Sequence, residues 1–351
     1  MGSIFTALAV AACADPSSGE DGDGTGSMSG EESSGNPAPA SACPDCAGVC
    51  LESQCVDPPS PVTLIDPDAS LIVRVDGGIA YLKESAIGFS DRAWVQPFGG
   101  AAEVLYDPGA DRSVTDMWPL PGAVMFVLSS PYAVVVVDTA TGSVTEWPDL
   151  GATNIILLLA ADPEQIVFRD YEYVYRFTND GTLTTLTAGN LESAAVSEDA
   201  IWVMERMGAM GGVVAAYELD GTGRREVGTW AGTFPWIGVR GTRVVWKTSE
   251  VAGVGEDVLR TLVDTGDANV TPEVMPCEGN IAARVLRDDA MVYFTTFSSE
   301  LYECRYDGTG STVAWEQTDQ YRGRLFVRGD DSLVAFENLD DEMTLYRLTW
   351  P

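Results

Sequence analysis

Seven short apolar segments recur along the chain, and this repeat constrains the fold more than any other feature. The segments read GGIAYLK, GAVMFVL, EQIVFRD, DAIWVME, TRVVWKT, DAMVYFT and DSLVAFE. Self-similarity at an even period indicates a repeat architecture in which each unit packs against its neighbours. The matching apolar positions are 35 to 47 residues apart, and they are Ile79, Val124, Ile166, Ile201, Val244, Met291 and Leu333.

Each unit reads as four short strands separated by turns. Hairpins such as YRFTNDGTLTTLT and YECRYDGTGSTVAW carry Asp-Gly pairs, which supply the positive φ that a tight hairpin needs. Four antiparallel strands every 40–50 residues or so are typical of a propeller blade. The sequence therefore predicts an all-β fold, a β-propeller of seven four-stranded blades over residues 61–351. A pair of β-sandwiches is the alternative, but it does not explain the even period.

The two ends of the repeat region predict how the ring closes. The last unit contains only three predicted strands before Pro351, and the segment Pro61–Asp66 precedes the first inner strand as a spare strand. Pairing the spare strand with the last unit would hide two unpaired sheet edges. We therefore predict a seventh blade shared between the two ends of the region.

Charge and composition exclude several classes of function. The chain has 53 acidic and 20 basic residues, for a net charge of −33, and it has no histidine. Such a field repels phosphate backbones, so nucleic-acid binding is not expected. The absence of histidine excludes Ser-His-Asp and Cys-His nucleophile systems and His-ligated metals. We accordingly predict a protein that is not an enzyme and that has no resident cofactor.

The N-terminal segment resembles a bacterial lipoprotein signal. An apolar run over residues 1–12 ends in Val10-Ala11-Ala12, directly before Cys13, which is similar to the lipobox, although the run has no Lys or Arg. The resemblance implies that Cys13 carries a lipid and that the protein is exported. Because Ala14, not Asp, follows the cysteine, it also implies anchoring to the outer membrane. An apolar N-terminus with a chance cysteine is the alternative.

Residues 13–42 are rich in Ser, Gly, Pro and acid, so we predict a disordered tether. Such acidic Ser/Gly tethers resemble those of Gram-negative envelope lipoproteins. Within it, Asp21–Glu32 reads DGDGTGSMSGEE, which approximates a calcium-binding loop. An EF-hand needs a helix on each side of the loop, and neither flank here is a plausible helix. We therefore interpret this stretch as part of the tether.

Residues 43–60 form a Cys-rich segment. Its four cysteines are too close together for the two pairs that wrap a zinc ion, and an exported location favours disulfides. We predict two disulfides in a small knot, of three possible connectivities, with an interleaved one favoured. We also predict a disulfide between the two cysteines of the main domain, so the full set is Cys43, Cys46, Cys50, Cys55, Cys277 and Cys304.

The repeat pattern resembles YWTD-like and TolB-like bacterial propellers, although the YWTD tetrapeptide itself is absent. In such propellers, ligands bind over the central channel, which the inner strands line. The channel-lining and loop positions that offer charge or aromatic surface for a ligand are Asp116, Glu205, Arg206, Trp236, Arg284, Arg322 and Arg324. We expect Glu205 and Arg206 in a loop between the second and third strands, and Trp236 on the loop that leads into an inner strand.

Two functional hypotheses follow. The first is a lipid-anchored, monomeric and non-catalytic propeller of the bacterial envelope that binds a protein, peptide or glycan. The second is a hydrolase or lyase that uses carboxylates and calcium in the channel. The first is favoured because the predicted inner strands carry few acids, whereas a calcium site needs several converging oxygens.

Overall fold

The computed structural model describes residues 49–51, 54–83, 92–129, 132–150, 155, 157–187, 189–208, 211–232, 235–249, 257–266, 270–277, 281–295, 300–316, 321–338 and 340–350. All regular secondary structure in these residues is β-strand. The strands form one two-stranded sheet and seven four-stranded sheets, and every pairing within them is antiparallel. The fold is a seven-bladed β-propeller, as the repeat predicts.

The strands follow the chain from the inside of each blade to its outside. A hairpin of β1 (Val49–Leu51) and β2 (Gln54–Val56) comes first, followed by β3 (Ser60–Ile65). Blade 1 contains β4 (Ala69–Val75), β5 (Gly78–Lys83), β6 (Ala93–Pro97) and β7 (Glu103–Tyr106). Blade 2 contains β8 (Ser113–Leu120), β9 (Ala123–Ser129), β10 (Ala133–Asp138) and β11 (Val144–Glu146). Blade 3 contains β12 (Leu157–Ala161), β13 (Gln165–Arg169), β14 (Val174–Thr178) and β15 (Leu183–Thr185).

The later blades repeat this order. Blade 4 contains β16 (Leu191–Val196), β17 (Ala200–Gly208), β18 (Gly211–Glu218) and β19 (Arg225–Ala231). Blade 5 contains β20 (Ile237–Arg240), β21 (Arg243–Ser249), β22 (Asp257–Val263) and β23 (Glu273–Met275). Blade 6 contains β24 (Ile281–Leu286), β25 (Ala290–Thr295), β26 (Glu300–Arg305) and β27 (Gly310–Glu316). Blade 7 contains β28 (Tyr321–Val327), β29 (Asp330–Asn338) and β30 (Met343–Arg347), and β3 completes it.

The core consists of apolar layers between neighbouring blades. Met204 of blade 4 and Trp246 of blade 5 belong to one such layer, and both are fully buried. Second strands are covered on both faces, so β5, β9 and β25 are almost continuously buried. This is why these strands read as unbroken apolar runs, without the polar-apolar alternation of a half-exposed strand. The seven segments recognised in the sequence are these second strands.

The predicted ring closure is confirmed. Strand β3 pairs with β30 and begins at Ser60, one residue earlier than expected. A second link joins blades 7 and 1 near the channel, where the Arg74 amide donates to the Arg328 carbonyl at 2.9 Å and the Arg328 amide donates to the Ile72 carbonyl at 2.9 Å. The first and last blades are therefore joined at both their outer and their inner strands.

The Asp-Gly turns between third and fourth strands have the predicted backbone. Gly181, Gly221 and Gly308 have φ of 89°, 86° and 81°, which favours glycine over other residues. The side chain of Asp220, which precedes one of these glycines, accepts a hydrogen bond from the Thr222 amide at 2.8 Å. Hydrogen bonds of this kind stabilise the tight turns, so the sequence Asp-Gly-Thr indicates the hairpins between the third and fourth strands of the blades.

The predicted Cys277–Cys304 disulfide is confirmed, with a Cα–Cα distance of 5.6 Å. Cys277 follows β23 and Cys304 lies in β26, so the bond links blades 5 and 6. Cys50 and Cys55 lie opposite each other in the β1–β2 hairpin, and both are disulfide-bonded. Cys13, Cys43, Cys46, the signal segment and the tether lie outside the described residues, so the connectivity of the Cys-rich segment stays a prediction.

The β1–β2 hairpin packs against the propeller. Leu51 is 1% exposed and belongs to an apolar cluster with Phe294 of blade 6 and Phe336 of blade 7.

Within the part of the chain that the structure describes, no helix is long and apolar enough to span a bilayer.

Candidate functional site

A cavity of about 540 Å³ opens at one end of the central channel, and we call it the channel mouth. Its walls come from the inner strands β20, β24 and β28 and from the turn that follows β28. Apolar atoms of Val285 and Phe326 alternate with charged side chains around it. The charged residues of the mouth are Arg240, Arg284, Arg328, Asp330 and Asp331.

Arg284 is the most exceptional of these residues. Its guanidinium lies 3.6 Å from the centroid of the Trp236 ring, a close cation–π contact. Among the described residues no carboxylate lies within ion-pair distance of it, although part of the side chain faces the mouth. Burial lowers the pKa of Arg284 to about 10, so the group is still charged at neutral pH. The channel therefore presents a cation that no carboxylate of the described residues neutralises.

Trp236 differs from its prediction as an exposed loop aromatic. It lies directly before β20, is only 9% exposed, and is covered by Arg284. Its indole Nε1 has no hydrogen-bond partner within the described ranges. Trp236 and Arg284 are thus the two predicted site residues that the structure brings into contact.

Asp116 is buried and fully engaged by the fold. Its carboxylate accepts hydrogen bonds from Arg328 Nη1 at 2.8 Å and from the backbone amides of Met117 at 2.8 Å and Leu158 at 2.9 Å. These partners belong to blades 7, 2 and 3. Asp116 therefore joins three blades across the channel and has little capacity left for a ligand.

Arg322 and Arg324 share one carboxylate, at the start of β28 and so at the other end of the channel. Arg322 Nη2 lies 2.7 Å from Glu337 Oε2, and Arg324 Nε lies 3.3 Å from the same atom. Glu337 itself is 6% exposed. Arg324 is the extra residue of a β-bulge between Gly323 and Leu325, and a bulge re-aims the side chain that it carries. Among the described residues, two cations therefore share one carboxylate.

Glu205 and Arg206 do not lie in a loop. Both belong to β17, whose pairing with β18 continues to Gly208. Glu205 is buried and accepts hydrogen bonds from Tyr217 Oη at 2.5 Å and from Arg224 Nη2 at 2.6 Å. Arg206 forms an ion pair with Glu192 on the neighbouring strand. Both side chains are therefore bound to partners within blade 4.

The environment of Glu205 explains its ionisation. Burial favours the neutral carboxyl and by itself raises the pKa, but the hydrogen bonds from Arg224 and Tyr217, with the charge of Arg224, outweigh burial and lower it. A lowered pKa is the opposite of what a general acid at neutral pH needs. Glu205 is therefore a structural carboxylate.

Several residues of the mouth were not among the predicted ligand-binding residues. Arg240 and Arg328 line the mouth, and Arg74 lies 3.4 Å from Asp330 there. Arg287 lies 2.7 Å from Asp331. These arginines share a signal that could have identified them: each follows an inner-strand apolar run and precedes its turn, in LIVRV, IGVRG, RVLRD and LFVRG.

In the described ranges, no three Cys, Asp or Glu side chains are grouped so that they could hold a metal ion. The acids of the mouth, Asp330 and Asp331, are instead each paired with an arginine.

Comparison with known proteins shows the fold and no family. No family model matches the chain, and no curated protein matches its sequence. Among solved structures, YCF48 bound to D1 peptide has a TM-score of 0.54 at 10% identity, covering 83% of this chain and 96% of that one. An oligogalacturonate lyase in complex with manganese has a TM-score of 0.54 at 14% identity, covering 84% and 97%.

A virginiamycin B lyase from Staphylococcus aureus is similarly related, with a TM-score of 0.52 at 13% identity, covering 83% of this chain and 98% of that one. These similarities extend over nearly the whole of each solved chain, so they confirm the propeller. At such low identities they carry no residue roles, since one fold hosts many functions.

Proposed function

We propose that this protein is a lipid-anchored, non-catalytic propeller of the bacterial cell envelope that binds a protein or peptide partner. The partner is held in part by a carboxylate that enters the channel mouth and meets Arg284. The observation that carries the proposal is the Arg284 guanidinium, which stacks at 3.6 Å on Trp236, faces the mouth and pairs with no carboxylate of the described residues. A half-buried arginine with no carboxylate among its described neighbours is stabilised when a ligand supplies one.

The surrounding charges favour one carboxylate over several. Arg328 forms an ion pair with Asp116. Arg240 Nε lies 3.5 Å from Asp288 Oδ1, and both of these side chains are exposed, so this second ion pair is weak. Asp330 and Asp331 remain near, each already paired with an arginine. A single acidic side chain or the terminal carboxylate of a peptide matches Arg284, which has no carboxylate partner in the described part of the chain, and the weakly paired Arg240. A densely charged polyanion would be repelled by the net charge of −33.

Binding fits the channel better than catalysis. Asp116, Glu205 and Glu337 are all buried and all bound to arginine, so none is a carboxylate poised to move a proton. A peptide-bound propeller is also among the structures of similar fold. Two lyases are also among the structures of similar fold, but for a carboxylate- and calcium-dependent hydrolase or lyase the described residues offer no group of acids that could hold a metal ion.

The test of the binding site uses the mature full-length protein and a random peptide phage library. We expect selected peptides to share an acidic residue or a free C-terminal carboxylate, and Arg284→Met to weaken the best of them about tenfold or more, because a charge-assisted hydrogen bond contributes about 1.5–3 kcal/mol. Methionine still covers Trp236, so the melting temperature should not fall.

The matched control is Arg92→Met. Arg92 pairs with Asp107 at 2.9 Å on the outside of blade 1, and both side chains are about half exposed. This variant should bind the selected peptide within about twofold of the unaltered protein, as an exposed ion pair contributes little. Peptides without an acidic consensus, or equal affinity of the Arg284→Met protein, would refute the channel site.

The anchor is tested separately by metabolic labelling with radioactive palmitate in a Gram-negative host. The apolar run, the small residues before Cys13 and the acidic tether support lipidation and delivery to the outer membrane. We expect the label in the outer-membrane fraction, and none in Cys13→Ser protein. Retention of the label by that variant would show that Cys13 is not the site.

A further inference from the structure

The turns that join first and second strands surround the channel mouth. Each inner strand runs along the channel and ends at this face, so the turn that follows it lies at the edge of the opening. Arg328 and Gly329 of the blade 7 turn line the mouth directly. We call these seven turns the mouth rim, and they comprise residues 76–77, 121–122, 162–164, 197–199, 241–242, 287–289 and 328–329.

The mouth rim of blades 5, 6 and 7 carries balanced charges. Its three turns contain two arginines and two aspartates, so their charges sum to zero. Arg287 Nη1 lies 2.7 Å from Asp331 Oδ2, which joins blades 6 and 7 by an ion pair. Arg240 Nε lies 3.5 Å from Asp288 Oδ1, which joins blades 5 and 6. On this side of the mouth, acids of the turns are therefore offset by nearby arginines.

The mouth rim of blades 3 and 4 is acidic without such an offset. Its two turns contain four acids and no Lys or Arg. Asp162 is bound by the fold, because its carboxylate accepts hydrogen bonds from the amides of Glu164 at 2.8 Å and Gln165 at 2.9 Å. The carboxylates of Glu164, Glu198 and Asp199 are exposed, and none of them has an ion pair or a hydrogen bond among the described residues. We call these three carboxylates the acidic arc.

Arg284 and the acidic arc lie on different sides of one opening. Arg284 belongs to blade 6, and in a ring of seven blades blade 3 lies across the channel from it. Arg284 points to a ligand independently of the arc, since it faces the mouth beside Trp236 and pairs with no carboxylate of the described residues. A ligand that carries only acids would be attracted at one side and repelled at the other. A ligand with both a carboxylate and a cation matches both sides.

We propose that the partner of the channel mouth contributes a segment of both charges, with a carboxylate that meets Arg284 and a lysine or arginine that lies against the acidic arc. This inference rests on the proposed function and specifies the chemistry of its partner. The arc attracts the basic side chain and repels the carboxylate, so it orients the segment with its carboxylate toward Arg284. Because exposed charges act mainly on the association rate and on specificity, the arc selects the partner during encounter.

The test repeats the phage selection with the full-length protein and with its variant Glu164→Gln/Glu198→Gln/Asp199→Asn. We expect peptides selected by the unaltered protein to contain Lys or Arg near the carboxylate, and peptides selected by the variant to keep the acid and lose this enrichment. The tightest peptide should bind the variant about fivefold more weakly, with a slower association rate. An analogue of that peptide with Gln in place of each Lys and Arg should bind both proteins within about twofold of each other.

The matched control is the variant Glu103→Gln/Asp111→Asn/Glu172→Gln, which removes three exposed acids away from the mouth rim. It has the same net charge as the rim variant and should bind the tightest peptide within about twofold of the unaltered protein. An acidic consensus without basic residues, or the same affinity for both triple variants, would overturn the role of the acidic arc while the channel site stands. Peptides without an acidic consensus would refute the channel site and the arc with it.

Discussion

A polypeptide that begins at Asp66 will not form a stable ring. It lacks β3, which pairs with β30 in five residue pairs and buries Ile65. The loss removes ladder hydrogen bonds of about 1 kcal/mol each and the burial of one isoleucine, about 1.5–3 kcal/mol. It also leaves the edge of β30 open to pairing with other molecules. We expect aggregation and no cooperative unfolding transition, measured by size-exclusion chromatography and circular dichroism.

Two controls separate ring closure from the other changes in this shortened protein. A polypeptide that begins at Asp57 also lacks the β1–β2 hairpin but keeps β3, and it should stay monomeric and cooperative. A synthetic peptide Asp57–Asp66 added to the shorter protein should restore the transition by supplying the strand in trans. The same peptide with Ile65→Asp should not. A shorter protein that is stable without peptide would disprove that β3 closes the ring.

Phe336→Ala should strongly destabilise the propeller. Phe336 is fully buried and has edge-to-face contacts with Phe294 at 5.0 Å, Trp315 at 5.1 Å and Tyr346 at 5.4 Å between ring centroids. Truncation loses the burial, creates a cavity and removes three aromatic contacts, so we expect the free energy of unfolding to fall by about 3–5 kcal/mol. Equilibrium denaturant unfolding measures the change.

The control applies the same truncation at Phe98, a partly exposed ring contacted by Arg74 and Arg347. Phe98→Ala should cost clearly less, since less surface is buried there. Phe336→Leu keeps most of the volume and should fall between the two. Equal losses for both alanine variants would contradict the view that the blade 6–7 layer carries exceptional stability.

The repeat predicts the fold because every blade solves the same packing problem. Second strands such as β9 are buried on both faces, so the periodic apolar runs report directly on the interblade layers. The closing strand β3 could be predicted because a strand edge without a partner needs one. The Cys277–Cys304 bond could be predicted because only two cysteines are left for the main domain.

In glycine-rich segments, the sequence alone does not distinguish a loop from a strand. The sequence around Glu205 reads ERMGAMGG, which suggests a loop. In the structure Gly212 lies in β18, where a Cβ would meet the Glu205 carbonyl oxygen at 1.8 Å. The glycine serves the close approach of two backbones, and not a turn. This distinction depends on the partner strand, so local sequence cannot make it.

The pairing of charges was the second feature beyond prediction. Asp116 and Arg328 are 212 positions apart and meet only because the ring closes. The charge and the strand of Arg284 make it a candidate, but that no described carboxylate pairs with it is a property of three-dimensional placement.

The position of the β1–β2 hairpin has a mechanical consequence. Leu51 is inserted into the layer between blades 6 and 7, and the hairpin precedes β3 along the chain. A pulling force applied to the chain before Val49 therefore reaches the Leu51 contact first and β3 only after that contact has slipped. If the propeller is anchored through Cys13, as proposed above, drag on it would load the hairpin contact before it could separate β3 from β30.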